Sequence, residues 1–182
     1  MPDDPEIRHF IFSTCFGFAA IAYREQPFLI INISLPRTNR KDLFESIKSK
    51  GWGKRGRHPE ALRISEAIVD YFTGKPIQPY WDYISMSGLT NYQQSVLAAT
   101  TEIPYGALRS YQAIAVATGR PRAYRSVGSA LAKNPFPILI PCHRVIRNDN
   151  TIGQFGGGVA LKRRLIELEA KHAGRINRLL KL

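Results

Sequence analysis

Asn134-Pro135-Phe136-Pro137-Ile138-Leu139-Ile140-Pro141-Cys142-His143-Arg144-Val145-Ile146 is the stretch on which the fold of the C-terminal half and its chemistry both turn. The run Pro137-Ile138-Leu139-Ile140 reads as a short buried strand. Pro141 favours extended geometry in the residue before it and ends any ladder, so a turn follows that presents Cys142 with His143 directly after it. A cysteine attacks through its thiolate, and a neighbouring imidazole or cation makes that form accessible near neutral pH. A lone Cys-His pair also fits a buried structural cysteine beside a satisfied core histidine, and the surrounding sequence has to decide between the two.

Upstream, Thr90 or Asn91 caps a helix whose apolar face is Tyr92, Val96, Leu97 and Ala99 and which ends before Pro104. After the turn Pro104-Tyr105-Gly106, Ser110 caps a second helix running to about Thr118. Gly119-Arg120-Pro121 breaks the chain, and a third helix runs from about Arg122 to Lys133. This is the helix-turn-helix pattern, weakly specific by itself. The third helix sorts its faces: Val127, Ala130 and Leu131 on one side, Arg122, Arg125, Ser126, Ser129 and Lys133 on the other. That outer face fits either a solvated surface or close approach to a phosphate backbone. Downstream, a helix from Val159 to about His172 turns Leu161, Leu165 and Leu168 inward, and Glu169 taken alone reads as a surface carboxylate.

From about Thr90 to Ala170 the chain resembles the O6-alkylguanine-DNA alkyltransferases, and Asn134 to Ile146 matches their active-site signature almost residue for residue. Related proteins that bind alkylated DNA without repairing it carry tryptophan where this chain has Cys142. The resemblance implies a protein that removes alkyl groups from O6 of guanine in double-stranded DNA by irreversible, single-turnover transfer to Cys142, after flipping the base out of the stack. It implies a relay from Glu169 to His143 and through a water to Cys142, giving a thiolate and an imidazolium. Tyr111 would meet the flipped base at N3, and Asn134 would order the active-site turn. Pro137 and Phe155 would wall the pocket, with Ile152 beside them. Carbonyl oxygens of Cys142 and Val145 would accept from the exocyclic amine, and the loop from Gly153 to Gly158 would bring an amide near Gly156 toward O6. The third helix would enter the minor groove through Arg122, Tyr124, Arg125, Ser126, Gly128 and Ser129, with Arg125 as the side chain that pushes into the stack.

Three positions depart from the family pattern. Tyr124 stands where an alanine is expected, Phe155 where many relatives have tyrosine, and Gly156 where they have a residue with a side chain. The flat wall survives in Phe155 without its hydroxyl, and the loop gains freedom. The basic tail from Lys171 to Leu182, with Arg175, Arg178 and Lys181, reads as a solvated or DNA-proximal helix.

Charge agrees with a polyanionic partner. The 182 residues carry a formal charge of +12. Residues 1–90 hold 12 Lys/Arg against 10 Asp/Glu, residues 91–182 hold 14 against 4, and between Ile103 and Asn148 there are seven basic residues and no acidic one. The two cysteines, Cys15 and Cys142, are far apart, no CxxC or zinc spacing occurs, and the four histidines do not cluster, so neither a metal nor a cofactor is expected. The start Met1-Pro2-Asp3-Asp4 lacks the blocks of a signal peptide and no apolar run reaches membrane-spanning length. A cytoplasmic monomer, nucleoid-associated when on DNA, with no membrane partner, is the expectation.

In the N-terminal half, Phe10 to Thr14, Phe18 to Tyr23 and Phe28 to Ile33 read as an antiparallel meander turning near Phe16-Gly17. Leu62, Ile64, Ile68, Val69 and Phe72 mark a helix from Glu60 to Thr73, stopped by Gly74, that packs on the sheet. Lys50 to Pro59 reads as a solvated loop, Cys15 as a packing residue inside a strand, and Gly74 to Leu89 as the connection between domains. The fold class is therefore α+β. A small N-terminal antiparallel sheet with a helix (1–85) serves as structural support, followed by a mostly helical domain (86–182) with the DNA-binding helix-turn-helix and the cysteine turn. Two rivals stand beside the alkyltransferase: a non-catalytic helix-turn-helix regulator or damage-binding protein, which has no need of Cys142, His143 and Glu169, and a Cys-His hydrolase, which would turn over repeatedly on an acyl substrate.

Overall fold

In the computed structural model, which describes residues 7–174, the chain divides between Met86 and Ser87 into two units. The first is built on three antiparallel strands in the order of the sequence: β1 (Arg8–Thr14), β2 (Gly17–Glu25) and β3 (Phe28–Arg37). The meander is as expected from the three apolar runs. Its central strand is buried without interruption from Ala19 to Tyr23, so both faces of β2 need a cover.

The sequence suggests one covering helix and the structure has two. Helix α1 (Arg40–Ser49) is capped by Asn39, whose side chain accepts from the Lys41 amide at 2.8 Å. It buries only Leu43 and Ile47, one turn apart, against Ile11, Ala20, Ala22 and Trp52. Two buried apolar residues in ten, with Phe44 exposed beside them, leave too faint a periodicity to read. Helix α2 (Pro59–Phe72) begins with Pro59 in its first turn and has His58 as its cap, Nδ1 accepting from the Glu60 amide at 3.2 Å. It packs against β1 and β2.

Three further expectations are refined or corrected. The glycine-rich segment after α1 exposes Lys54, Arg55 and Arg57, yet its backbone is bound: His9 donates to the Lys54 carbonyl at 3.1 Å and Gly56 to the His9 carbonyl at 2.9 Å, while Trp52 is buried beneath it. It is a solvated loop, as read, with its backbone strapped along β1. The connection is shorter than the prolines suggest, because Ser85 donates to the Ile30 carbonyl at 2.9 Å and Ile84 bridges Ile30, tying this segment to β3. Cys15 is not inside a strand: it is exposed in the β1–β2 turn, and its thiol donates to the Phe72 carbonyl at 3.2 Å.

The second unit comprises α3 (Asn91–Thr101), β4 (Arg109–Ser110), α4 (Tyr111–Ala117), α5 (Tyr124–Ala132), β5 (Val145–Ile146) and α6 (Val159–His172). Thr90 and Gln93 form a reciprocal capping box on α3, and Ser110 caps α4 by accepting from the Ala113 amide at 3.1 Å. Helices α4 and α5 are the helix-turn-helix pair, with α5 starting two residues later than expected. The run Pro137 to Ile140 is not a strand. It is a tight turn in which Ile140 donates to the Phe136 carbonyl at 2.8 Å and Ile138 sits at φ 77°. Pro135, Pro137 and Pro141 remove the donors a ladder needs, and the apolar side chains are buried on a turn instead. Among the described residues of this unit the only sheet is the two-residue parallel pairing of β4 with β5, which sets Arg109 against Val145. The tail residues Arg175, Arg178 and Lys181 and the start Met1 to Asp4 lie outside the described residues.

Gly17 carries the sharpest local constraint. Its φ is 121°, and a Cβ there would lie 2.4 Å from the Arg37 carbonyl oxygen. Gly17→Ala should therefore destabilise the first unit by about 1–3 kcal/mol, read as a lower urea midpoint, and an unchanged midpoint would show that the turn can relax.

Candidate active site

The thiol is placed by a short helical turn, Cys142–Arg144, between the prolyl turn and β5. Cys142, His143, Arg144 and Val145 are all buried. Asn134, just past the end of α5, ties this turn together. Its Nδ2 donates to the Ile140 carbonyl at 3.0 Å and to Cys142 Sγ at 3.2 Å, and its Oδ1 accepts from the Phe136 amide at 3.0 Å.

Glu169, on α6, is 2% exposed and gathers four donors. Oε1 accepts from His143 Nε2 at 2.8 Å and Arg144 Nη2 at 3.0 Å; Oε2 accepts from Arg144 Nε at 2.9 Å and the Gly106 amide at 3.0 Å. The surface carboxylate of the lone-residue reading is thus a buried hub. Burial alone would raise its pKa, but the imidazole and the two-pronged guanidinium overcome that and hold it at about 2. Arg144 also donates to the Ile103 carbonyl at 2.6 Å.

On Cys142 and His143 burial prevails instead. It pushes the Cys142 thiol up, against the Asn134 hydrogen bond and the Lys162 charge that pull it down. It pushes His143 down, although Glu169 opposes the shift. Both shifts run toward a neutral thiol and a neutral imidazole and away from a thiolate–imidazolium pair. Since Nε2 carries the proton it gives to Glu169, the lone pair of the neutral ring is on Nδ1. Tyr111, at the start of α4, has its hydroxyl raised by burial and by Cys142, with Arg147 acting against both.

Lys162 escapes the sequence reading altogether. It is 0% exposed, its Nζ donates to the Val145 carbonyl at 2.6 Å, and it lies 5.7 Å from the Tyr111 ring centre. Burial brings its pKa down to about 8. The buried stripe of α6 is Lys162, Leu165, Ile166, Glu169 and Ala170, with Leu161 and Leu168 only half-buried, so the helix is rotated from the all-leucine face. The spacing of Lys162, Leu165, Ile166 and Glu169 at i, i+3, i+4, i+7 is the signal that could have found it. Arg144, inside the quoted signature, is a second omission.

Pro137, Val145 and Ile152 are buried and Phe155 is half-buried. The Val145 carbonyl accepts from Lys162, and the Cys142 carbonyl from the Val145 amide. Gly153, at φ 73°, approaches Tyr111 so closely that a Cβ would lie 3.3 Å from its hydroxyl, whereas a Cβ on exposed Gly156 would meet nothing. On α5 and the turn before it, Arg122, Tyr124, Arg125, Ser126 and Ser129 are exposed. Gly128 is half-buried and turned toward Tyr111, with a Cβ position 3.8 Å from the ring, and is set apart from the exposed outer face. No group of three or more metal-ligating side chains occurs among the described residues, and none of their helices is long and apolar enough to cross a membrane.

Residues 91–171 match the family model described as the 6-O-methylguanine DNA methyltransferase, DNA binding domain. The methylated-DNA--protein-cysteine methyltransferase of Methanothermobacter thermautotrophicus is 47% identical over 128 residues, 70% of this chain and 70% of that protein. The chain belongs to this family of cysteine methyltransferases. Its relative of the same name from Methanosarcina barkeri is 46% identical over 110 residues, a match spanning 60% of this chain and 66% of the relative. Among solved structures, Mycobacterium tuberculosis OGT in complex with DNA aligns with a TM-score of 0.70 at 28% identity, over 91% of this chain and 94% of that one.

The Glu169 hub makes stability depend on acid. A carboxyl held at about 2 in the folded chain against 4.5 ordinarily stabilises the fold above pH 4.5 and loses that contribution as pH falls toward 2. The wild type should lose up to about 3 kcal/mol across that window. Glu169→Gln, which strands the buried Arg144 charge, should start about 3–5 kcal/mol lower and show a flatter acid limb by denaturant titration. Parallel acid limbs in the two proteins would refute the hub.

Proposed function

We propose that this protein removes alkyl groups from O6 of guanine in double-stranded DNA by transferring them, once per molecule, to Cys142. The observation that carries the proposal is the buried thiol held by Asn134 beside an imidazole whose tautomer Glu169 fixes. A helix-turn-helix regulator without chemistry has no use for that chain. The likeness to methylated-DNA--protein-cysteine methyltransferases and to a DNA-bound relative supports both the reaction and the partner.

In the proposed reaction, the alkylated guanine is turned out of the duplex, because O6 in a stacked base is out of reach of a buried thiol. Arg125, exposed on the first turn of α5, enters the gap. As the base fills the pocket, His143 Nδ1 takes the thiol proton through a water, and Glu169 and Arg144 together hold the imidazole while it carries charge. Sγ attacks the alkyl carbon, the carbon–O6 bond breaks with its electrons passing to the purine, and the purine takes up a proton as it leaves. Tyr111 donates toward N3. Lys162, whose positive charge favours the thiolate, stabilises the forming anion. Keeping the thiol neutral until the pocket is occupied protects it from adventitious chemistry. The product thioether has no resolving thiol and no easy return, so the molecule is spent. No cofactor enters the scheme. We place the protein in the cytoplasm, acting as a monomer and nucleoid-associated when on DNA.

Incubation with a duplex oligonucleotide bearing O6-methylguanine should add the mass of one alkyl group per protein, located on the Cys142 peptide, and Cys142→Ala should abolish it while still binding DNA. Many lesions repaired per molecule would refute the mechanism. Arg125→Ala should slow transfer from duplex DNA about tenfold or more while sparing free O6-benzylguanine, since only the duplex charges for unstacking, a few kcal/mol. Equal losses on both substrates would refute the extrusion role.

A further inference from the structure

Tyr124 is the first residue of α5 and is 45% exposed, the one exposed aromatic among the described residues of the second unit. The Arg125 guanidinium lies 5.9 Å from its ring centre, and Arg122 is exposed two residues before it. A large ring left in water among arginines is the composition of surfaces on which nucleobases stack, because every base offers a face to an aromatic ring and a cation.

The support beneath the ring is stiff. Gln112 on α4 donates to the Pro121 carbonyl, the Tyr92 hydroxyl on α3 donates to the Ala123 carbonyl at 3.5 Å, and the Arg120 guanidinium lies 4.8 Å from the Tyr92 ring centre. Both neighbouring helices thus fasten the turn immediately before Tyr124. Behind α5, Val127, Ala130 and Leu131 are buried in the core, so the helix cannot roll to tuck the ring away.

We propose that Tyr124 and Arg125 act as a two-part wedge, the guanidinium filling the gap left by an extruded nucleotide and the tyrosine ring stacking on the base that borders it. The proposal rests on the alkyl-transfer reading above and extends it: Tyr124 sets how readily a lesion is drawn from duplex DNA. Steps that unstack easily, pyrimidine followed by purine, gain least from the ring, and stiff stacks gain most.

The test compares Tyr124→Ala, Tyr124→Leu and Tyr124→Phe. Single-turnover transfer to Cys142 is measured from O6-methylguanine in duplex DNA and from free O6-benzylguanine. Tyr124→Ala and Tyr124→Leu should be about tenfold slower on the duplex, the scale of one lost base–aromatic stack, and unchanged on the free base, whereas Tyr124→Phe should keep the duplex rate. Leucine separates stacking from bulk, and the free-base rate reports an intact fold. A wild-type duplex rate for the alanine or leucine variant, or an equal loss on the free base, would overturn the wedge. A second arm needs no chemistry: the preference for a duplex with one abasic site over an intact duplex should fall about tenfold in the alanine and leucine variants and persist in phenylalanine. A wild-type protein that transferred no alkyl group would refute the alkyl-transfer reading, while this arm would still decide the wedge.

Discussion

A single buried carboxylate organises the second unit. Glu169 accepts from His143, Arg144 and the Gly106 amide, and so joins α6, the cysteine turn and the turn after α3 at one point. An ionised carboxylate out of water is tolerable only when its oxygens are fully engaged, and here each takes two donors. The arrangement explains why an arginine is needed beside the histidine. Arg144 carries charge that balances Glu169, while burial pushes His143 toward the neutral ring that the proposed reaction needs as a base.

The same logic governs the thiol. Burial makes Cys142 a weaker acid, a cost that a reactive thiol would ordinarily avoid. Lys162 and Asn134 work against burial from two sides, and their effect grows as the substrate displaces the last solvent, because charge interactions strengthen in a drier pocket. For the proposed reaction a site built this way would be quiet when empty and reactive when filled, which suits a nucleophile used once.

Much of this was legible from residues alone, and the exceptions share a cause. The meander, α2, α3, α4 and the full extent of α6 follow from periodicity, caps and glycine stops, all local signals. Helix α1 was hidden because Leu43 and Ile47 are its only buried anchors. The strap along β1 and the β4–β5 pairing depend on backbone partners remote in sequence, which no local pattern records. The run Pro137 to Ile140 misled because apolar, β-branched content signals burial, and its flanking prolines, read as strand ends, were the reason it could not pair. At the site, Cys142 and His143 stand out from the residues themselves and Asn134 and Glu169 through the family resemblance, whereas Lys162 does not stand out because a lysine on a helix is ordinarily solvated.

The neutral resting pair is tested most directly by nitrogen-15 NMR of the histidine side chains near neutral pH, with His143 assigned by substitution. A neutral ring, protonated at Nε2 and bare at Nδ1, is the predicted result, unchanged in Cys142→Ala. An imidazolium in the free protein that reverts to a neutral ring when Cys142 is replaced would mean that a thiolate–imidazolium pair exists before substrate arrives, and would contradict it.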